Sequence, residues 1–321
     1  MKQLSAKIIK DKILQNYIEY QYLFAEFQSN FLTGLHSRYQ SIENGNLVLY
    51  FEKQTHQEIL RQKDYDLEFN ISYENFWENH GVVNPRKISL KQIAKSTSLP
   101  KETTRRKVLL LTKQKVLNKK NKNIGWLPTE QYKKNYNLIV EQEINNVCKL
   151  IKFICEKMNF SISREVLVKE IKKEFSFYWF HYLGAQLKYL KIWNTQLNDI
   201  ELALIFMQLA HVFTTKTKEK NISHVYIHKD PSRFKEFISS SVSATSIAEV
   251  TKIPRATCVR KLETLVKLKL ISQDQMSKRF YINPSSLAED LIPRKLTQKV
   301  VVIFSDFFLI CLRALSVKTL N

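Results

Sequence analysis

Residues 88–117 read ISLKQIAKSTSLPKETTRRKVLLLTKQKVL, and residues 242–271 read VSATSIAEVTKIPRATCVRKLETLVKLKLI, 154 positions later and without a gap. Identities fall at Ser89/Ser243, Ile93/Ile247, Ala94/Ala248, Thr97/Thr251 and Pro100/Pro254. They continue at Thr103/Thr257, Arg106/Arg260, Lys107/Lys261 and Leu111/Leu265. A register held over that length points to two copies of one unit, which constrains the fold before any local propensity is weighed. A weaker match lies upstream. Leu47, Val48, Leu49, Tyr50 and Phe51 resemble Leu202, Ala203, Leu204, Ile205 and Phe206, which sets His56 opposite His211.

The chain has 321 residues, 44% of them hydrophobic. That suits two domains of about 150 residues, each able to bury a core. Ile9, Ile13, Tyr20, Phe24, Phe27, Phe31 and Leu35 recur at helical spacing, so one amphipathic helix is expected there. A second helix is expected over residues 136–158, with Ile139, Ile144, Val147, Ile151 and Ile154 on one side, and a buried one over 197–213. The aromatic side chains of these helices read as core packing.

Within the second repeat, Ser243 is a good helix cap, and Ile247 and Ala248 lie on the inner face of the helix it starts. A break follows near residues 251–253. Pro254 then opens another helix, where its missing N–H costs nothing. Cys258, Leu262 and Leu265 form that helix's buried stripe, as Thr104, Val108 and Leu111 do in the first copy. Residues 118–127 and 272–282 read as hairpins with basic tips.

This order, with S-x-x-x-I-A at Ser243–Ala248 and P-R-x-T-x-x-R-K-L-x-x-L at Pro254–Leu265, resembles the bacterial winged helix-turn-helix transcription regulators of the MarR, GntR and IclR types. The resemblance covers about 40 residues in each copy. It departs from the usual pattern where the second helix ends. Lys115 and Lys269 stand where such motifs often carry glycine, which leaves the wing boundaries open.

The expected fold class is therefore mainly α with small β-wings, internally duplicated, two helical segments each followed by a winged helix-turn-helix. The expected boundaries are residues 1–70 (helical), 71–135 (first winged domain), 136–225 (helical), 226–295 (second winged domain) and 296–321 (amphipathic helix).

The resemblance implies a major-groove reader. It places Lys101, Glu102 and Arg105 of the first copy, and Arg255, Ala256 and Val259 of the second, at base edges. Arg106, Lys107, Arg260 and Lys261 are expected to clamp phosphates. Lys119, Lys120 and Lys122 in one wing, and Lys278 and Arg279 in the other, are expected on the backbone or minor groove. Charge agrees: the net charge is +21, and residues 86–134 hold 15 cations against two acids, Glu102 and Glu130. Residues 229–281 hold 11 cations against five acids, so the first copy is expected to lean more on phosphates.

Other chemistries find little support. Only five glycines occur, with no G-x-G-x-x-G or P-loop pattern, which argues against a dinucleotide enzyme, a P-loop ATPase and a kinase. Cys148, Cys155, Cys258 and Cys311 form no C-x-x-C pair and read as buried thiols. His224 and His228 lack the companions of a metal site. No enzyme activity, metal or cofactor is implied. Residues 1–12 lack the continuous apolar run of a secretory signal, so a cytoplasmic, nucleoid-associated protein is expected.

Residues 300–317 are apolar except for Asp306 and Arg313, which share one face. They suggest an amphipathic helix open to homodimerisation, and no membrane partner is expected. The leading partner is double-stranded DNA and the leading function transcription regulation. Three other readings stay open: a plasmid-type replication initiator, an RNA-binding protein stacking bases on Trp126, Phe280 or Tyr281, and a protein-binding module.

Overall fold

The structure is a computed structural model and describes residues 4–83, 88–120, 123–219, 240–282 and 292–318. It is mainly helical, with two small two-stranded antiparallel sheets. The first half runs α1 (Ala6–Gln15), α2 (Tyr17–Tyr39), α3 (Ile42–Tyr65), α4 (Phe76–Val82), α5 (Leu90–Thr97), α6 (Lys101–Lys113), β1 (Leu117–Lys120), β2 (Asn123–Trp126) and α7 (Glu130–Lys157). The second runs α8 (Arg164–Lys173), α9 (Phe175–Leu197), α10 (Glu201–Glu219), α11 (Ala244–Thr251), α12 (Arg255–Lys267), β3 (Ile271–Gln273), β4 (Phe280–Ile282) and α13 (Ile292–Lys318).

The expected long helices are present with different breaks. The apolar stripe from Ile9 to Leu35 is carried by two helices, because the chain turns at Asn16 (φ −117°), whose side-chain amide donates to the Lys12 carbonyl. The helix expected over 197–213 starts later. Leu197 closes α9, Asn198 turns left-handed (φ 55°), and α10 begins at Glu201. Residues 136–158 fall within α7, as expected, although Ile139 is only half-buried.

The compact units do not follow the consecutive boundaries expected from the sequence. One unit comprises Met1–Ile9, Glu43–Lys191 and Ile303–Asn321; the other comprises Lys10–Ile42 and Ile192–Val302. So α2, from the first half, packs in the unit that holds α10, α11, α12 and the β3–β4 hairpin. Most of α9, from the second half, packs with α3 to α7. Amphipathic stripes specify that a face must be buried, but not which partner buries it.

The first unit is built around Phe76. Its ring stacks on His56 at 4.6 Å and on Tyr136 at 5.8 Å, and meets Phe175 edge-on at 5.5 Å. Trp126, ending β2, joins this cluster through Trp77 and His80, which ties the hairpin to α4. Backbone bonds from Tyr73 to the Lys172 carbonyl and from Ser176 to the Ile71 carbonyl hold α8 and α9 against the segment before α4. Phe304 and Phe307 of α13 pack on Tyr189 and Tyr182, with Cys311 buried beside Cys148 and Cys155. Burial pushes all three thiols up, the α7 pair to about 12, as suits inert core cysteines.

The apolar residues Phe304, Phe307, Phe308, Cys311 and Leu315 of α13 are buried inside the chain, while Asp306 and Arg313 face solvent and Val302 is exposed. Among the described residues, no single helix is long and apolar enough to cross a membrane.

In the second unit, α2 lies along α10, and Gln208 donates to the Thr33 hydroxyl at 2.7 Å. Phe27, Phe31 and Leu35 meet a core that includes Leu204, Leu209 and Phe213.

Lys115 and Lys269, at the ends of α6 and α12, both adopt left-handed backbone (φ 58° and 56°). Each closes its helix with the same pair of bonds: Lys115 N–H to Thr112 and Val116 N–H to Leu111, then Lys269 N–H to Val266 and Leu270 N–H to Leu265. The turn that usually takes glycine is kept, and lysine bears its strain. Lys115→Gly and Lys269→Gly are each expected to raise stability by about 0.5–1 kcal/mol, read from urea midpoints at unchanged slope.

His56 is fully buried, and burial pushes its pKa down to about 3, with His80 adding to the shift. The native state therefore stays unprotonated here where an unfolded chain takes up a proton. Stability contributed by His56 is present above the unfolded value near 6.5 and is lost as pH falls toward 3. The slope of unfolding free energy against pH between 4 and 6 is expected to flatten by up to about 1.4 kcal/mol per pH unit in His56→Phe. Urea titrations at stepped pH measure it.

Candidate nucleic-acid interface

In both halves the local chemistry of the short helix sets the stage. Ser89 caps α5 by accepting from the Gln92 N–H, and Gln92 accepts the Ser89 N–H in return. Ser243 caps α11 by accepting from the Ser246 N–H at 3.0 Å. The inner faces match: Ile93 and Thr97 are buried in α5, Ile247 and Thr251 in α11. Each threonine donates its hydroxyl to the carbonyl four residues earlier, at 2.8 and 2.7 Å. Ser98 and Lys252 then take left-handed backbone (φ 57° and 60°), and Pro100 and Pro254 precede the second helices.

Helices α6 and α12 are 13 residues each. Their buried stripes are those expected, Thr104, Val108 and Leu111 against Cys258, Leu262 and Leu265. Each hairpin follows directly, with Leu117 opposite Trp126 and Ile271 opposite Ile282. Ile88 bridges to Ile124, and Val242 to Phe280, so the residue before each short helix is stitched to its hairpin.

The opposite faces meet solvent. Lys101, Glu102, Arg105 and Arg106 are exposed on α6, and Arg255, Ala256 and Arg260 on α12, with Val259 half-buried. Glu102 and Arg105 engage each other as a fork: Arg105 Nη2 reaches Glu102 Oε1 at 2.6 Å and Nε reaches Oε2 at 3.0 Å. The hydrogen bond from Arg105 holds the Glu102 carboxyl below its ordinary value. Arg255 donates Nε to the Thr245 hydroxyl at 3.1 Å, which aims it along α11.

Two of the expected phosphate clamps turn inward instead. Lys107 is half-buried and pairs with Glu43, in the first turn of α3, at 2.7 Å. Lys261 is only 7% exposed and pairs with Asp199 at 2.6 Å and Glu201 at 3.1 Å. Both lysines tie their helix to the start of a long helix in the same unit, a role that a cation count does not reveal.

Of the residues expected in the wings, Lys119 is exposed on β1. Lys120 closes the strand opposite Asn123, while its side chain and the whole of Lys122 lie outside the described residues, as do His224 and His228. In the second hairpin the tip is held by side-chain bonds. Asp274 accepts from the Ser277 hydroxyl and N–H at 2.6 and 2.7 Å, which holds its carboxyl below the ordinary value, and leaves Lys278 and Arg279 exposed.

Comparison with protein-family models, with characterised proteins and with solved structures finds no match to this chain. The geometry therefore carries the argument alone. It bears on the RNA alternative directly. Trp126 and Phe280 are 6% and 3% exposed, so neither ring offers a face for stacking a base, and Tyr281 is half-buried.

A substitution pair separates inward from outward lysines. Arg260→Ala is expected to lower the slope of log affinity against log salt by about one unit, as loss of one phosphate contact does. Lys261→Met is expected to leave that slope unchanged while costing about 1–3 kcal/mol of folding stability, since it strands two partly buried carboxylates. Duplex titrations at stepped salt, paired with urea unfolding, measure both.

Proposed function

We propose that the chain is a sequence-specific DNA-binding transcription regulator, with no catalytic step, that reads two half-sites through tandem winged helix-turn-helix modules. The observation that carries this reading is the twofold recurrence of one arrangement: a capped eight-residue helix, a left-handed turn, a 13-residue helix and an antiparallel hairpin. Each time, the second helix buries a three-residue stripe and presents cations to solvent. A helix of this diameter fits the major groove, and a basic hairpin beside it can reach the adjoining backbone.

The duplication belongs to the same proposal. The long helices support it too, since α2 and α9 have 23 residues each, and α7 and α13, which follow the hairpins, have 28 and 27. Phosphates would be met by Arg106 and Arg260 and by the exposed wing cations Lys119, Lys278 and Arg279, leaving residues of the first turns of α6 and α12 for base edges. A replication initiator of plasmid type is the second reading, favoured by the same tandem arrangement, because two readers in one chain also suit iterated sites in an origin.

Binding to mixed genomic duplex fragments, titrated with salt against a single-stranded RNA competitor, tests the proposal. Affinity is expected to fall by about 0.9 log unit per log unit of salt for each phosphate contact, and the retained fragments to share a two-part sequence. Retained fragments that carry arrays of one iterated site would favour the initiator. Preference for the RNA, or no duplex binding at moderate salt, would overturn the DNA reading.

A further inference from the structure

The two exposed helix faces have the same framework and different chemistry at its centre. At the 154-residue spacing, Lys101 corresponds to Arg255 and Arg106 to Arg260, so both faces keep a cation at each flank. Between them, Glu102 corresponds to Ala256 and Arg105 to Val259. The first face therefore carries a hydrogen-bonding pair, and the second carries a methyl and an isopropyl group.

In the first face the pair is organised before any ligand arrives. The Arg105 guanidinium is fixed by two of its nitrogens on the Glu102 carboxylate, and both side chains remain largely exposed, at 54% and 74%. Two guanidinium nitrogens can present a fork to the O6 and N7 acceptors of guanine, the commonest specific major-groove contact. The base donors open to the neighbouring carboxylate in that groove are the amino groups of cytosine N4 and adenine N6, and the N7 acceptor beside N6 disfavours adenine. The carboxylate is repelled by phosphates and by the acceptors of guanine and thymine. The equivalent positions of the second face cannot do this. Ala256 and Val259 offer no hydrogen bond, while Arg255, whose Nε donates to Thr245, supplies the flanking cation that Lys101 supplies to the first face. Their complement in the major groove is the 5-methyl group of thymine.

We infer that the two helices read chemically different base pairs: Glu102 and Arg105 of α6 select a G·C pair, and Ala256 and Val259 of α12 select thymine methyl groups of an A·T pair. The site is then neither a palindrome nor an exact repeat, and its two halves differ at equivalent positions. This inference rests on the DNA-binding reading above.

Selection of duplexes from a randomised pool by the full chain tests it, followed by two probes. Glu102→Ala with Arg105→Val, both surface changes, gives α6 the side chains of α12 at these positions. It is expected to replace the G·C preference of one half-site with A·T and leave the other half-site unchanged. Arg105→Lys, which keeps charge and removes the fork, is expected to lower discrimination for guanine by on the order of tenfold to a hundredfold. Replacing thymine by deoxyuridine in the A·T half removes only the methyl groups, and is expected to weaken binding several-fold with the same salt slope. Two identical half-sites in the selected pool, or indifference to both deoxyuridine and the double substitution, would overturn this inference while leaving the DNA reading intact. A pool with no enriched duplex, together with a flat salt response, would overturn the underlying reading itself.

Discussion

An ion pair at the root of each solvent-facing helix holds the arrangement together. Lys107 joins α6 to the first turn of α3 through Glu43, and Lys261 joins α12 to the start of α10 through Asp199 and Glu201. Each 13-residue helix also packs through a three-residue stripe, Thr104, Val108 and Leu111 in α6 and Cys258, Leu262 and Leu265 in α12. An inward lysine one position past the exposed Arg106 or Arg260 adds a polar tether beside that stripe, on the side away from the exposed cations. Such a pair contributes orientation more than net stability, because desolvating the ammonium offsets much of the Coulomb gain.

The long helices supply the ground on which this orientation rests. Each unit combines helices from both halves of the sequence: α2 lies with α10 to β4, and most of α9 lies with α3 to α7. Their apolar faces are wide and aromatic, and the largest buried rings include Tyr20 and Phe31 from α2 and Trp179 and Tyr182 from α9. Ring burial on this scale dominates core energetics, so the small motifs sit on stiff supports.

Local chemistry was the readable part of the chain. Caps at Ser89 and Ser243, Pro100 and Pro254 before the second helices, and apolar stripes at helical spacing all act within a few residues. They specify α5, α6, α11, α12 and both hairpins with little outside help. What the sequence hid depends on distant partners. Lys107 and Lys261 look like their exposed neighbours until Glu43 and Asp199 are brought near, although their recurrence opposite acids at the starts of two long helices was a signal available in advance. Trp126 stood as one stacking candidate within the RNA alternative, yet Trp77 and His80 pack on it from α4. The break at Asn16 leaves the apolar stripe intact, so periodicity passes over it.

The interleaved units also change how the two faces can be compared. The first segment is the more basic, with 15 cations against two acids over residues 86–134, whereas residues 229–281 carry 11 against five. Cutting the chain between the halves would seem the direct way to weigh these charges separately. It would strip α9 from the unit that holds α6 and α2 from the unit that holds α12, exposing Phe76 in one fragment and Phe175 and the α10 core in the other. Fragments in that state would report the loss of packing rather than the strength of phosphate contacts. The electrostatic difference belongs to the intact chain, where neutral substitutions at Arg106 and Arg260 change one exposed charge each and leave both supports in place.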